Sequence, residues 1–338
     1  MIRLGILDLS PVRSGGSPAE ALAETVRLAQ AAEALGYHRF WLAEHHGATG
    51  FAGSCPEVLI AAIAAATRSI RVGSGGVLLR HYSPLKVVET FRTLEALYPG
   101  RIELGLGRAP GCDEQTAAAL SGGVGEDVFE PRLRSLLAYL EDVEEDPEAV
   151  RAVPVVDGGP PVWLLGSGTR SAAYAAYFGC AFAFAHFLAG DAGVQVVRMY
   201  AERYRPSSRA PEPQACLAVA ALCAESDRDA ERLSASARLW FARTDGKFTA
   251  PDRGVDGRMP SLDEALAHRF TPEEQAKVAA VGDRWIAGSP ARVRDRLLEL
   301  AERAGVENVL VLTLCPDFEA RLRSYELLAK ALAPVAAH

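Results

Sequence analysis

The residues best suited to chemistry in this sequence are a Glu–His–His triplet at the end of an apolar run. Glu44, His45 and His46 follow the run 39–43 directly. Histidine exchanges a proton near neutral pH and a carboxylate beside it can orient the ring, so the triplet suits proton transfer. Two other interpretations stay open. The histidines could be structural, or they could bind zinc for hydrolysis, although adjacent histidines at a strand end diverge and no third ligand is evident.

A glycine-rich segment is the second candidate. Ser74, Gly75 and Gly76 follow the short run 70–73. A backbone without Cβ atoms allows a flat ring to lie against it, whereas a bulge or a turn with positive φ would require the same glycines for another reason. The segment therefore indicates either a surface that binds a ring or a purely conformational role.

Two further segments suit a phosphate group. Gly166, Ser167, Gly168 and Thr169 lead from an apolar run into a helix, where free backbone N–H groups and hydroxyls favour an anion. Arg108 lies among small residues, and a guanidinium fixed in such a position can bind phosphate through two hydrogen bonds. An ordinary strand–helix turn and a solvated surface arginine are the alternatives.

Apolar runs that alternate with amphipathic stretches must position these residues. We predict eight strands, each followed by a helix. The predicted strands are Arg3–Asp8, Arg39–Ala43, Ile70–Gly73, Arg101–Leu106, Pro161–Leu165, Cys180–Ala185, Ala215–Cys223 and Asn308–Leu314. Nearly continuous apolar runs are typical of parallel strands buried on both faces. We therefore predict an α/β fold of the (β/α)8 (TIM) barrel type. A doubly wound sheet is disfavoured because the first strand leads into DLSPV rather than a GxGxxG motif.

The barrel prediction places the candidates together. The carboxyl ends of all eight strands meet at one face of such a barrel, where active sites lie. We expect one pocket there, with an apolar wall to which aromatic side chains contribute. The aromatic candidates are Phe51, Phe184, Phe187 and Trp240.

We predict a single domain over residues 1–338, with an insertion at about 241–288 before the last strand. This stretch is rich in Gly, Asp, Arg and Pro and interrupts the alternation of strands and helices. Long insertions in compact domains are often lids or binding loops. A surface excursion without a function is the alternative.

Composition excludes several classes of function. The net charge is −7 and the Lys and Arg residues are dispersed, which argues against nucleic acid as a partner. No apolar run approaches the ~20 residues of a membrane span. The six cysteines occur singly without a CxxC pair, and the N-terminus has the pattern of a strand rather than a signal peptide. These features indicate a cytoplasmic protein with reduced thiols.

Several stretches together resemble the bacterial luciferase-like flavin-dependent monooxygenases. They are RFWLAEHH at 39–46, RVGSGG at 71–76, SPLKVVETFRTLEALYPGRIELGLGRAPG at 83–111, WLLGSGT at 163–169 and AGSPARVRDRLLELAERAGVENVLV at 287–311. The resemblance implies a (β/α)8 barrel that binds FMN at the carboxyl-terminal mouth.

The resemblance also implies residue roles. Arg108 and the turn Ser167–Thr169 would hold the flavin phosphate, and the flavin ring would lie over the segment 73–76, with a cis peptide bond at Gly75-Gly76. His45, the first histidine of the EHH motif, would face the reactive part of the flavin. This chain departs from the family pattern at its phosphate turn, which reads GSGT rather than a sequence richer in hydroxyls.

The activity that the resemblance implies is oxygenation of a small organic substrate, aromatic or polyketide-like, by reduced FMN and O2. A separate flavin reductase would supply the reduced FMN, and the enzyme would be a homodimer. One alternative is an F420-dependent oxidoreductase that transfers hydride on the same fold. Another is a flavin-binding barrel without catalytic activity.

Overall fold

The computed structural model describes residues 2–121, 128–141, 150–244 and 256–333. Its strands, in chain order, are β1 Arg3–Asp8, β2 Arg39–Leu42, β3 Arg71–Ser74, β4 Val77–Leu78, β5 Ile102–Gly107, β6 Val162–Gly166, β7 Ala181–Ala185, β8 Ala215–Cys223, β9 Trp285–Gly288 and β10 Asn308–Leu312. Its α-helices are α1 Pro18–Ala34, α2 Pro56–Ala66, α3 Pro84–Leu97, α4 Glu114–Ser121, α5 Phe129–Glu141, α6 Thr169–Tyr177, α7 His186–Ala189, α8 Val194–Arg203, α9 Asp227–Thr244, α10 Leu262–Ala267, α11 Pro272–Ala279, α12 Pro290–Ala304 and α13 Phe318–Leu332. Short 3-10 turns lie at Leu79–His81, Asp191–Gly193 and Gly282–Arg284.

Eight parallel strands close into a barrel. The order is β1, β2, β3, β5, β6, β7, β8 and β10, and β10 pairs with both β8 and β1. The predicted (β/α)8 barrel is therefore confirmed, and each of the eight predicted strands coincides with a barrel strand. The short strands β4 and β9 were not predicted. They add to the barrel at the carboxyl ends of β5 and β8.

Local sequence signals fix the helices around the barrel. In α1, the Ser17 hydroxyl accepts a hydrogen bond from the Glu20 backbone N–H, and the Glu20 carboxylate accepts one from the Ser17 backbone N–H. Pro18 occupies the first turn, where its missing N–H costs nothing. This reciprocal cap fixes the start of α1. Leu28, on the buried face of the helix, packs into the hydrophobic core.

The barrel interior is filled below its mouth. The rings of Trp41 in β2 and Trp163 in β6 meet across the interior with centroids 5.3 Å apart. The Trp41 indole N–H donates to the buried carboxylate of Glu103 at 2.6 Å. Arg39 lies 3.4 Å from the same carboxylate and stacks over the Trp163 ring. These large side chains form the floor on which a pocket at the mouth can rest.

The segment predicted as an insertion returns to the barrel mouth. Helix α9 continues to Thr244, residues 245–255 lie outside the described part, and the remainder carries α10, α11 and β9. The backbone of Met259 bonds to Val12 and Ser14 in the β1–α1 loop at 2.9 and 2.8 Å. The insertion thus contacts the face where the strand ends meet. The single-domain organisation over 1–338 stays a prediction.

Candidate active site

One cavity of about 680 Å³ opens among the carboxyl ends of the barrel strands. Residues that end or follow β1, β2, β3, β5, β6 and β7 line it, together with Arg284 from the insertion. Its apolar wall consists of Leu7, Leu9, Ala43, Leu78, Leu165, Ala185, Phe187 and Leu188. The fold therefore brings segments from across the chain around one volume, as the barrel prediction requires.

Most of the predicted site residues line this cavity. Those that do are Glu44, His45, Gly75, Gly76, Arg108, Gly166, Ser167 and Gly168. Ser74, His46 and Thr169 do not contribute to the lining. The Ser74 hydroxyl is fully buried in the barrel wall, where it donates to the Gly105 carbonyl and accepts from the Gly105 N–H. A direct contact between that hydroxyl and a ligand is thus not available in this arrangement.

Glu44 holds the local backbone and two side chains in place. Its buried carboxylate accepts hydrogen bonds from the Tyr82 hydroxyl at 2.7 Å, from His46 Nε2 at 2.7 Å and from the Leu78 N–H at 3.1 Å. Burial raises the pKa of Tyr82 well above its usual value, and the adjacent carboxylate raises it further, so the phenol remains a donor. Glu44 and His46 thus form a positioning network beside the cavity, and His45 stands apart from it.

His45 presents its ring toward Phe51, with the two ring centroids 4.8 Å apart. Its backbone N–H donates to the Gly53 carbonyl at 3.0 Å. Its Nδ1 atom is buried and has no hydrogen-bond partner among the described residues. Burial lowers the pKa of His45 to about 4, and the neighbouring His46 contributes to the decrease. The surroundings remove the water that would stabilise the charged ring, so His45 is uncharged near pH 7, and its role in proton transfer stays a prediction.

Gly75 and Gly76, which follow β3, pack closely against the barrel. A Cβ atom on Gly76 would lie 2.6 Å from the Gly105 carbonyl oxygen, and one on Gly75 would lie 2.6 Å from Leu7 Cδ1. The Gly75-Gly76 peptide bond is cis, as the resemblance implies. The packing of the strands thus requires bare backbone at Gly76, and both Gly75 and Gly76 lie at the cavity surface.

Positive charge and free N–H groups converge where β5 and β6 end. Arg108 and Arg170 both line the cavity and are exposed to solvent. Helix α6 begins beside Ser167, and its N-cap residue Gly168 has no side chain to bond the first-turn N–H groups. A helix N-terminus with two arginines beside it is suited to a phosphate group.

Sequence reasoning missed two of the lining arginines. Arg170 lies in the first turn of α6, so its position directly after the GSGT segment was a signal that could have found it. Arg284 comes from the insertion, more than 100 residues after Arg170, and nothing in its local sequence indicates the cavity.

The predicted aromatic residues divide between the cavity and its surroundings. Phe187 lines the cavity. Phe51 packs against His45 and also meets Trp240 with a centroid separation of 5.9 Å. Phe184 is buried in the shell between strands and helices, where it contacts Phe182. Phe51 therefore packs directly against His45, Trp240 packs against Phe51, and Phe184 is a core residue.

Two features are absent from the described ranges. No group of three or more His, Cys, Asp or Glu side chains there is arranged to hold a metal ion. None of the helices in those ranges has both the length and the apolar character needed to cross a bilayer.

Comparison with known proteins gives matches over nearly the whole chain. Residues 2–308 match the family described as luciferase-like monooxygenase. The uncharacterised protein YwcH of Bacillus subtilis is 45% identical over 98% of this chain and 100% of its own length. The N-acetyl-S-alkylcysteine monooxygenase of Bacillus subtilis is 37% identical over 98% of this chain and 98% of its own. The crystal structure of apo-MsnO8 is similar with a TM-score of 0.90 and 41% identity, covering 98% of both chains.

Proposed function

Because this chain belongs to the luciferase-like monooxygenase family, we propose that it is an FMN-dependent monooxygenase that uses reduced FMN and O2 to oxygenate a small organic substrate. The observation that carries the proposal is the single cavity at the barrel mouth. Arg108, Arg170 and the N-terminus of α6 line this cavity, and so do Gly75, Gly76 and His45.

The residues of the cavity fit FMN. A volume of about 680 Å³ lies within the range of cofactor pockets, roughly 300–1,000 Å³. Arg108, Arg170 and the first turn of α6 would hold the phosphate, and the ring would lie against Gly75 and Gly76. Reduced FMN, when bound there, supplies the electrons that activate O2.

His45 acts as an uncharged group at neutral pH. Because its pKa lies at about 4, the ring presents one N–H donor and one acceptor nitrogen. Its Nδ1 atom is buried, which leaves Nε2 as the nitrogen that can reach a ligand in the cavity. We propose that it holds or moves a proton at Nε2 beside the ring of the flavin. Leu7, Leu78 and Leu165 keep water from that position.

In this proposal Glu44 and His46 are positioning residues beside the cavity. Glu44 fixes the backbone at Leu78 and the side chains of Tyr82 and His46. Ser74 acts through the Gly105 backbone, to which its hydroxyl is bonded, and Thr169, the first residue of α6, stays a candidate for the phosphate end. The proposal also includes a separate flavin reductase, a homodimeric enzyme and a cytoplasmic location.

Relatives of this fold use FMN or the deazaflavin F420. We propose FMN because a relative with 37% identity over the full length is a monooxygenase that acts on N-acetyl-S-alkylcysteines. We therefore propose that this chain oxygenates a small organic molecule, such as a thioether or an aromatic compound. Hydride transfer with F420 is the alternative that the test must exclude.

The test begins with equilibrium binding of reduced FMN and of reduced F420 to the purified protein under anaerobic conditions. A pulse of O2 follows, and the release of H2O2 is measured for the wild type and for His45→Ala. We expect FMN to bind preferentially, and we expect His45→Ala to change the rate of peroxide release while FMN still binds. Preferential F420 binding would support the hydride-transfer alternative. FMN binding with unchanged peroxide release in His45→Ala would favour a barrel without catalytic activity.

A further inference from the structure

Arg284 brings a fixed positive charge to the cavity from outside the barrel strands. Its Nε donates to the Val281 carbonyl at 3.0 Å, one Nη to Ala280 at 2.6 Å and the other to Leu188 at 3.4 Å. A guanidinium has five N–H bonds, so these contacts leave two of them without a partner. Among the residues that the structure describes, no carboxylate lies within ion-pair distance of Arg284, and the side chain is half-buried.

The surroundings hold this guanidinium rigidly. The Asp191 N–H donates to the Asp283 carboxylate at 3.0 Å, which joins the turn that carries Arg284 to the loop after α7. The Asp191 carboxylate in turn bonds His186, Arg296 and Arg303. Because both supporting segments are tied to this one aspartate, Arg284 is positioned before any ligand arrives, which reduces the entropy lost on binding.

The charge of the cavity exceeds what one phosphate requires. A phosphate monoester carries about −2 near neutral pH, and Arg108, Arg170 and the α6 N-terminus already balance that charge where β5 and β6 end. Arg284 instead reaches the cavity from the insertion and donates to the Leu188 carbonyl after β7. It is therefore available for a second anionic group, next to apolar surface.

We propose that the organic substrate is an anion: a small molecule with an apolar body and a carboxylate, which Arg284 binds through its two free N–H bonds. The inference rests on the proposed FMN-dependent oxygenation, since it assigns the remaining part of the same cavity to the substrate. The planar fork of a guanidinium matches the two oxygens of a carboxylate. Phe187 and Leu188 contact the apolar body.

The test uses matched pairs of acids and primary amides as probes. The pairs are phenylacetate with phenylacetamide, hydrocinnamate with hydrocinnamamide, and octanoate with octanamide. Calorimetry measures the Kd of each for the FMN-loaded enzyme. In wild type we expect the acid of at least one pair to bind about tenfold more tightly than its amide, as one charge-assisted contact allows. This comparison needs no substitution and therefore does not depend on how a variant folds.

Variants then locate the preference. Arg284→Gln should reduce the acid-to-amide ratio to near one, and Arg284→Lys should retain part of it. Arg269→Gln is the matched control, because Arg269 is an exposed arginine of the same insertion that does not line the cavity. It should leave the ratio unchanged.

Two results would overturn the inference. One is that the acids bind no better than the amides in every pair, and the other is that the acid preference survives in Arg284→Gln, whether or not that variant loses FMN affinity. FMN binding and peroxide release are measured on the same wild-type preparation. Failure of those two measurements would count against the FMN-dependent function, whereas loss of the acid preference alone would count only against the role of Arg284.

Discussion

Replacing Glu44 with glutamine tests whether its carboxylate organises the cavity wall. The substitution keeps the shape of the side chain and removes its charge and one acceptor oxygen. The carboxylate accepts three hydrogen bonds, from Tyr82, His46 and the Leu78 N–H, in a position that is only 3% exposed. An amide cannot accept all three, because its nitrogen is a donor.

The expected loss follows from the two ways in which the amide can turn. If its nitrogen faces Leu78, a buried N–H loses its partner, which costs about 1–3 kcal/mol. If it faces Tyr82 and His46, bonds to a charged acceptor worth about 1.5–3 kcal/mol are replaced by weaker neutral ones. In either case we expect the free energy of unfolding in urea to fall by about 2 kcal/mol.

Two further variants make this measurement specific. Tyr82→Phe removes one of the three donors and should cost about 1 kcal/mol, less than Glu44→Gln. Glu202→Gln is the control, since Glu202 is an exposed residue of α8 and should stay within about 0.5 kcal/mol of wild type. A Glu44→Gln protein that unfolds at the wild-type urea concentration would refute the reasoning, as would a larger loss for Tyr82→Phe.

Three other predictions follow from the site. Arg108→Gln should raise the Kd for FMN about tenfold in a fluorescence titration, because one charge-assisted phosphate contact is lost; an unchanged Kd would place the phosphate elsewhere. The pKa of His45 is lowered from 6.5 to about 4, so the unfolded chain binds more protons between these values and stability should fall as the pH falls through that window. The free energy of unfolding of His45→Asn, measured in urea, should fall less steeply over the same pH range. Equal slopes for the two proteins would contradict the burial of a neutral ring. Gly76→Ala should destabilise the protein by about 1–3 kcal/mol, because its Cβ atom would press on the Gly105 carbonyl; a wild-type melting temperature would show that the strands yield freely.

The barrel was predictable because each of its strands carries its own signal. The run ending at Leu165, for example, is apolar, is followed by two glycines and leads into a helix, and all three features are local. Strand β9 escaped prediction because its four residues pair only with the end of β8, inside a segment whose composition is typical of a loop. A strand of this kind is defined by its neighbour more than by its own sequence.

That most of the candidate residues would meet around one cavity was predictable, whereas their individual contacts were not. Residues that follow strands, such as Glu44 and Arg108, line the cavity because the carboxyl ends of the barrel strands meet at one face. The contact between Glu44 and Tyr82 joins residues 38 positions apart, and the lowered pKa of His45 reflects its burial, to which Phe51 contributes. Arg284 reaches the cavity only through the path of the insertion. These features depend on tertiary packing, which residue type and spacing do not specify.

A crystal structure of the protein with FMN tests the central claim most directly. We expect one FMN at the barrel mouth, with its phosphate against Arg108 and the first turn of α6, and with its ring over Gly75 and Gly76 within reach of His45. A flavin bound outside this cavity, or a phosphate remote from Arg108 and Ser167, would contradict it.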